Sequence, residues 1–208
     1  MLVLKIMLAA GIVGHALNMY CDRTLSIFPN GTLMLSNIQK IREGDYAAKL
    51  MAGASPNTPL RAGVWGVFAI LLEYFGYTAL AAYTYPKSTV FAAILFLATT
   101  YSCIVSSAYH VKCGLAEYVF IKYDRDEKAK TIMLDLMDCG PALRSCFLAL
   151  IPYIVTLIVA IVTGAIGFPI WAVVFTILPI FVLLYPFKII GTLHIAAMVS
   201  MLAWMLLI

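Results

Sequence analysis

Apolar residues run through this chain in long stretches, separated by polar loops of unequal length. A helix needs about 20 mostly apolar residues to cross roughly 30 Å of hydrocarbon. Six stretches meet or approach that length: residues 2–21, 62–84, 88–111, 142–163, 170–186 and 189–208. The pattern predicts an all-α, polytopic membrane protein, a single domain over residues 1–208 built as a bundle of six transmembrane helices. The last two stretches are short. The break between them rests on Pro186 and Lys188, and a tight helical hairpin suits it better than one helix of twice the needed length.

Helix punctuation agrees with these boundaries. Thr58-Pro59 places a capping hydroxyl before a first-turn proline at the start of the second span. Gly140-Pro141 does the same before the fourth. Gly164, Gly167 and Pro169 separate the fourth from the fifth. Pro152 and Pro179 fall inside those two spans and predict a kink in each. The only small-x-small candidates near the N-terminus, such as Gly14-His15-Ala16, lie inside the apolar run, so this run reads as a retained first span.

The loops are patterned too. Met34, Ile38 and Ile41, then Tyr46, Leu50 and Met51, recur at helical spacing among charges in the first long loop. Leu115 and Val119, then Ile132, Leu136 and Met137, do so in the second, around a charge cluster from Asp124 to Lys130. Amphipathic helices lying in the headgroup layer are expected in both. Asp45 is placed to cap one of them and Gly53 to end it.

Composition strengthens the membrane assignment. Of the 208 residues 63% are hydrophobic and 12% charged, against about 45–50% and 25% in ordinary soluble domains. A soluble chain this short has too little interior to hide that surface. Twelve of the fourteen Lys and Arg residues fall in the loops after the first and third spans, at Arg144 just inside the fourth, or at the turn after the fifth; Lys5 and Lys87 are the exceptions. The positive-inside bias therefore expects both termini outside and the long loops in the cytoplasm. Acidic residues interleave with the basic ones (Asp124, Asp126, Glu127), so the partner expected is the lipid bilayer and not a nucleic acid.

Ionisable side chains inside a span are costly and are the natural place to look for function. With that orientation His15, His110 and His194 all fall in the cytoplasmic half, His15 about 9 Å into the membrane. Glu73 stands near the middle of the second span. His15, Asn18 and Asp22 share one helix face at i, i+3 and i+7, and Ser106 lies one turn from His110. If these faces turn inward, a polar pocket opens to the cytoplasm with Glu73 as its floor. It could hold a titrating proton, or a zinc ion on His15, His110 and His194.

Other signals are weaker. The five cysteines, at 21, 103, 113, 139 and 146, cluster on the reducing side, where disulfides are not expected. His110 and Cys113 have the spacing of a thiol–imidazole pair, and two span histidines could in geometry hold a haem. Asn30-Gly31-Thr32 matches a glycosylation acceptor on the wrong side for modification. Trp65, Trp171 and Trp204 read as interface or packing aromatics.

Asp22 closing the first span, Ser106-Ser107-Ala108-Tyr109-His110 closing the third and Phe168-Pro169-Ile170-Trp171 opening the fifth resemble an uncharacterised family of small bacterial six-helix membrane proteins. The resemblance implies that fold and a bacterial inner membrane, and no activity. Ser106-x-x-x-His110 also resembles one motif of the alkaline ceramidase and progestin-receptor superfamily of seven-helix, metal-dependent hydrolases. That family needs a second His-x-x-x-His on its last helix, where this chain has His194 followed by Met198.

Three functions follow. The first is a membrane-embedded binding or transport protein, proton-coupled or taking a small molecule, with Glu73 titrating and His110 at the mouth. The second is a metal-dependent intramembrane hydrolase of lipid or peptide. The third is a non-catalytic subunit that packs against a membrane partner, or another copy of itself, through Gly11, Gly14, Gly63 and Gly66.

Overall fold

The computed structural model describes residues 1–34, 38–138, 145 and 148–208. The chain is nearly all α-helical. Three helices are long and apolar enough to cross a membrane: α1 (Leu2–Ser26), α3 (Asn57–Thr84) and α4 (Thr89–Lys122). Between them lie a two-residue hairpin, β1 (Ile27–Phe28) and β2 (Gly31–Thr32), a 3-10 turn at Ile38–Arg42 and the short α2 (Tyr46–Leu50). After α4 come α5 (Glu127–Met137), α6 (Ile151–Val162), α7 (Ile177–Leu184) and α8 (Thr192–Leu207).

All three long helices overrun the apolar stretches that announce them. α4 has 34 residues and is about 50 Å long at 1.5 Å per residue, longer than the roughly 30 Å of a hydrocarbon layer. Ser88 begins it, its hydroxyl accepting from the Phe91 amide at 3.4 Å. α3 starts at Asn57, ahead of the expected Thr58 cap. Pro59 therefore sits in the first turn, where its absent N–H leaves no bond unmade.

The three later stretches are shorter: α6 has 12 residues, α7 eight and α8 sixteen. The prolines end up in first turns and do not kink continuous helices. Pro152 is the second residue of α6. Pro179 is the third of α7, and the chain before it breaks into a 3-10 turn at Ile170–Phe175 and an extended Thr176. A proline has no N–H for the carbonyl four residues earlier, and its ring crowds it, so the ladder is weakened at each of these points. Pro186 lies in the Tyr185–Phe187 turn, and Lys188 and Gly191 take positive φ of 52° and 87° before α8 starts. Gly140-Pro141, Arg144, Cys139, Cys146 and most of the first turns of the expected fourth span lie outside the described residues.

The long helices meet through glycines. A Cβ on Gly14 would stand 2.6 Å from the Glu73 amide nitrogen, and one on Gly11 2.7 Å from the Gly76 Cα, so α1 and α3 touch backbone to backbone. Gly63 meets Gly114 in the same way between α3 and α4, and Gly66 lies under the His110 ring. Close approach of this kind is how helices associate without a hydrophobic driving force. It also corrects one expectation: Gly11, Gly14, Gly63 and Gly66 face helices of their own chain and offer no surface to a partner.

Two large apolar cores and one small cluster form among the described residues. The larger joins Leu8, Tyr77, Leu95, Tyr153, Phe168, Met201 and Trp204, so Trp204 is a packing residue. Trp65 and Trp171 are exposed. The smaller core is where the long loops go. Phe28, Ile41, Leu50 and Met51 from the first pack on Phe120 and Ile121 near the C-terminal end of α4 and on Met133 of α5. The loops' apolar positions thus cover one another, where separate interfacial helices were expected; Met34, Leu115 and Ile132 stay exposed. Arg125 locks the arrangement, donating to the Met51 and Ala54 carbonyls at 3.0 Å each. Lys130 donates to the Gly44 carbonyl. Asp45 does precede α2, but its carboxylate pairs with Lys49 at 2.8 Å and caps no amide. The Lys49 ammonium holds that carboxyl below its ordinary range. Asn30 donates to the Lys49 and Ala52 carbonyls at 3.0 and 2.9 Å, so its amide braces the loop.

Candidate functional site

The face of α1 that carries His15, Asn18 and Asp22 turns toward α3, α4 and α8. Gly14 brings α3 close enough for Glu73 to reach this face, and Gly191 starts α8 so that His194 falls in its first turn. The result is a continuous polar cluster buried between four helices, with His15, Asn18, Glu73, His110 and His194 each less than a tenth exposed.

Its innermost part is a triangle. His15 Nδ1 lies 3.0 Å from Glu73 Oε1 and 3.0 Å from His194 Nδ1, and His194 Nδ1 lies 3.5 Å from the same Glu73 oxygen. Asn18 Nδ2 donates to Glu73 Oε1 at 2.8 Å. The edge of the Tyr77 ring, one turn beyond Glu73 on α3, packs against the His15 ring at 5.4 Å.

The outer part is built on Asp22. Its Oδ2 accepts from His194 Nε2 at 3.0 Å, and its Oδ1 stands 3.3 Å from His110 Nε2. Its side chain is about a third exposed, so it is the cluster's opening to solvent. The His110 ring lies flat over Gly66, where a Cβ would meet Nδ1 at 2.5 Å.

Most of the candidate residues are thus brought together, but in two layers. Glu73, His15 and His194 share the inner triangle with Asn18 beside it. His110 stands in the outer layer, on Asp22, so the histidine trio expected as metal ligands does not meet at one point; Glu73 stands in the third place. Ser106 is half-buried on α4, and no side-chain hydrogen bond joins it to the cluster. The thiols of Cys21 and Cys103 are free, and Cys21 packs with Leu25, Ala62 and Cys113 in a small apolar group of its own. The sequence marks Tyr77 only by its position one turn from the Glu73 carboxylate. It marks Gly66 only as a small residue, with nothing to indicate the ring that lies on it.

Two carboxylates facing three imidazoles make a centre suited to a cation. Among the described residues no lysine or arginine contacts either carboxylate of the cluster. Anionic charge at this depth is stable only when paired, and the partners at hand are groups that bind a proton or a metal.

Comparison with known families matches the chain to a family of unknown function (DUF6796) over residues 1–207. The chain belongs to that family. The resemblance to an uncharacterised family accords with this assignment. No curated protein matches the chain, and no solved structure does.

Proposed function

We propose that this protein crosses a lipid bilayer six times, with both termini outside and the long loops in the cytoplasm, and binds a cation at the His15–Glu73–His194 centre as a binding or transport protein. Its setting would be a bacterial inner membrane, as the first resemblance implies. The membrane reading is supported by the long apolar helices and by their outward faces: Trp65, Phe68, Leu71 and Phe75 on α3, Val90, Ile94, Leu97 and Ile104 on α4, all exposed. A water-soluble fold does not leave rows of this size uncovered. The shorter segments cross as packed elements of the bundle, where neighbours and the 3-10 turns re-satisfy the broken backbone.

One observation carries the cation reading: Glu73, buried beneath its neighbours, is met by two imidazole nitrogens and an amide and, among the described residues, by no fixed positive charge. Entry is from the cytoplasmic side, past the half-open Asp22 carboxylate. The test is charge displacement. Purified protein in proteoliposomes on a solid-supported membrane is exposed to jumps of protons, monovalent cations and divalent cations. A transient current with at least one of them is expected, and the Glu73→Gln, Asp22→Asn double variant abolishes it. No current with any cation overturns the reading.

A further inference from the structure

The inner triangle has a more specific chemistry than cation attraction. Its three atoms, His15 Nδ1, His194 Nδ1 and Glu73 Oε1, are separated by 3.0, 3.0 and 3.5 Å. Hydrogen bonding serves all three edges badly. His194 Nε2 faces the acceptor-only Asp22 carboxylate at 3.0 Å, so it carries a hydrogen, and a neutral His194 presents a bare lone pair at Nδ1. One further proton in the triangle cannot lie along three edges at once. Two protons, one on each Nδ1, set two N–H groups head to head across 3.0 Å.

A metal ion answers all three lone pairs together. Zinc binds imidazole nitrogen and carboxylate oxygen at about 2.0–2.2 Å. Ligand atoms at neighbouring corners of a tetrahedron then stand about 3.3–3.5 Å apart, and those on one face of an octahedron about 2.8–3.1 Å. The observed edges span these values, which suits one ion held from one side by three ligands.

The surroundings of His194 are of the kind that a metal centre requires, while His15 Nε2 is buried with no hydrogen-bond partner among the described residues. Metal-bound histidines donate their other N–H to a carboxylate or carbonyl, which sets the tautomer and the ring's orientation; Asp22 does this for His194. Glu73 Oε1 has one lone pair for the Asn18 amide and one for an ion. The charge also closes, since Glu73 and Asp22 together carry two negative charges when the imidazoles are neutral.

We propose that His15, Glu73 and His194 form a binding site for one divalent first-row transition metal, zinc or iron(II), with Asp22 as the positioning residue behind His194. The proposal rests on the cation-binding reading and names the cation. Three protein ligands from one side leave at least one coordination position for a water or for an exogenous ligand.

The test uses the full chain in detergent, stripped with a chelator and then titrated with zinc or cobalt(II). About one ion per chain is expected, with the visible bands of nitrogen- and oxygen-bound cobalt and an absorption-edge shell free of sulfur. The His194→Ala and Glu73→Ala variants should lose stoichiometric binding. Because either may fold poorly, Asp22→Asn gives the graded readout: chelator competition should show affinity weaker by about 10–100-fold at unchanged stoichiometry. Cys113→Ser should bind as the parent does. A sulfur ligand, or full binding in monodisperse Glu73→Ala, overturns the assignment. Charge displacement by protons or monovalent ions without any zinc, iron or cobalt binding overturns it too, and leaves the broader cation-binding reading standing.

Discussion

His194 and Asp22 lie 172 residues apart and are joined side chain to side chain at 3.0 Å, Nε2 to Oδ2. The contact ties the first turn of the last helix to the end of the first, and it turns the other nitrogen of His194 toward Glu73. Its strength depends on charge assistance in a place with little water.

The seam beneath it is sensitive to a single methyl group. A Cβ at Gly14 would press on the Glu73 backbone, which has no rotamer by which to yield. Gly14→Ala should destabilise the chain by about 1–3 kcal/mol and displace Glu73 from His15. Detergent-resistance melting measures the first effect. If the midpoint does not move, the backbone contact between α1 and α3 is not as described.

Gly66→Ala should act differently. There the obstacle is the His110 ring, which can rotate. Fold stability should fall less than in Gly14→Ala, while His110 leaves Asp22. The imidazole resonances of His110 by NMR should shift in the variant; unchanged resonances would contradict the packing.

Asn18 is the one amide donor to the buried Glu73 carboxylate among the described residues. Asn18→Leu removes a charged hydrogen bond, and a cost of about 1.5–3 kcal/mol is expected. Thermal unfolding of the purified variant gives the value. A cost near zero would mean that the carboxylate is neutral or has found another donor.

Arg125 should matter only locally. Its two bonds to the Met51 and Ala54 carbonyls hold the first loop to the second, far from the His–Glu centre. Arg125→Ala should raise hydrogen exchange over residues 43–54 and speed proteolysis there, leaving exchange in α1 and α3 as before. Equal loosening in both regions would refute two separate cores.

Topology can be read directly. A reporter fused after Ile208 should be active only outside the cytoplasm, and a cysteine at Asp124, in a background without the native ones, should react only from the cytoplasmic face. The reverse at both positions would invert the bundle.

The first three apolar runs are long enough to be read as helices, and the i, i+3, i+7 spacing of His15, Asn18 and Asp22 places them on one face whatever the rest of the chain does. Those features are local and legible in the sequence, as is the break at Pro186. Other features are not. Pro179 signalled a disturbance, but whether a kink or a full break resulted depended on what packs around Thr176. The loop periodicities showed apolar faces without showing that the faces cover each other. The choice of Glu73 over His110 for the inner triangle came from how closely glycines let α1, α3 and α4 approach, and from the angle at which α8 enters after Lys188 and Gly191. Such distances are set by contacts between residues far apart in the chain, and periodicity along one helix carries no record of the partner it will meet.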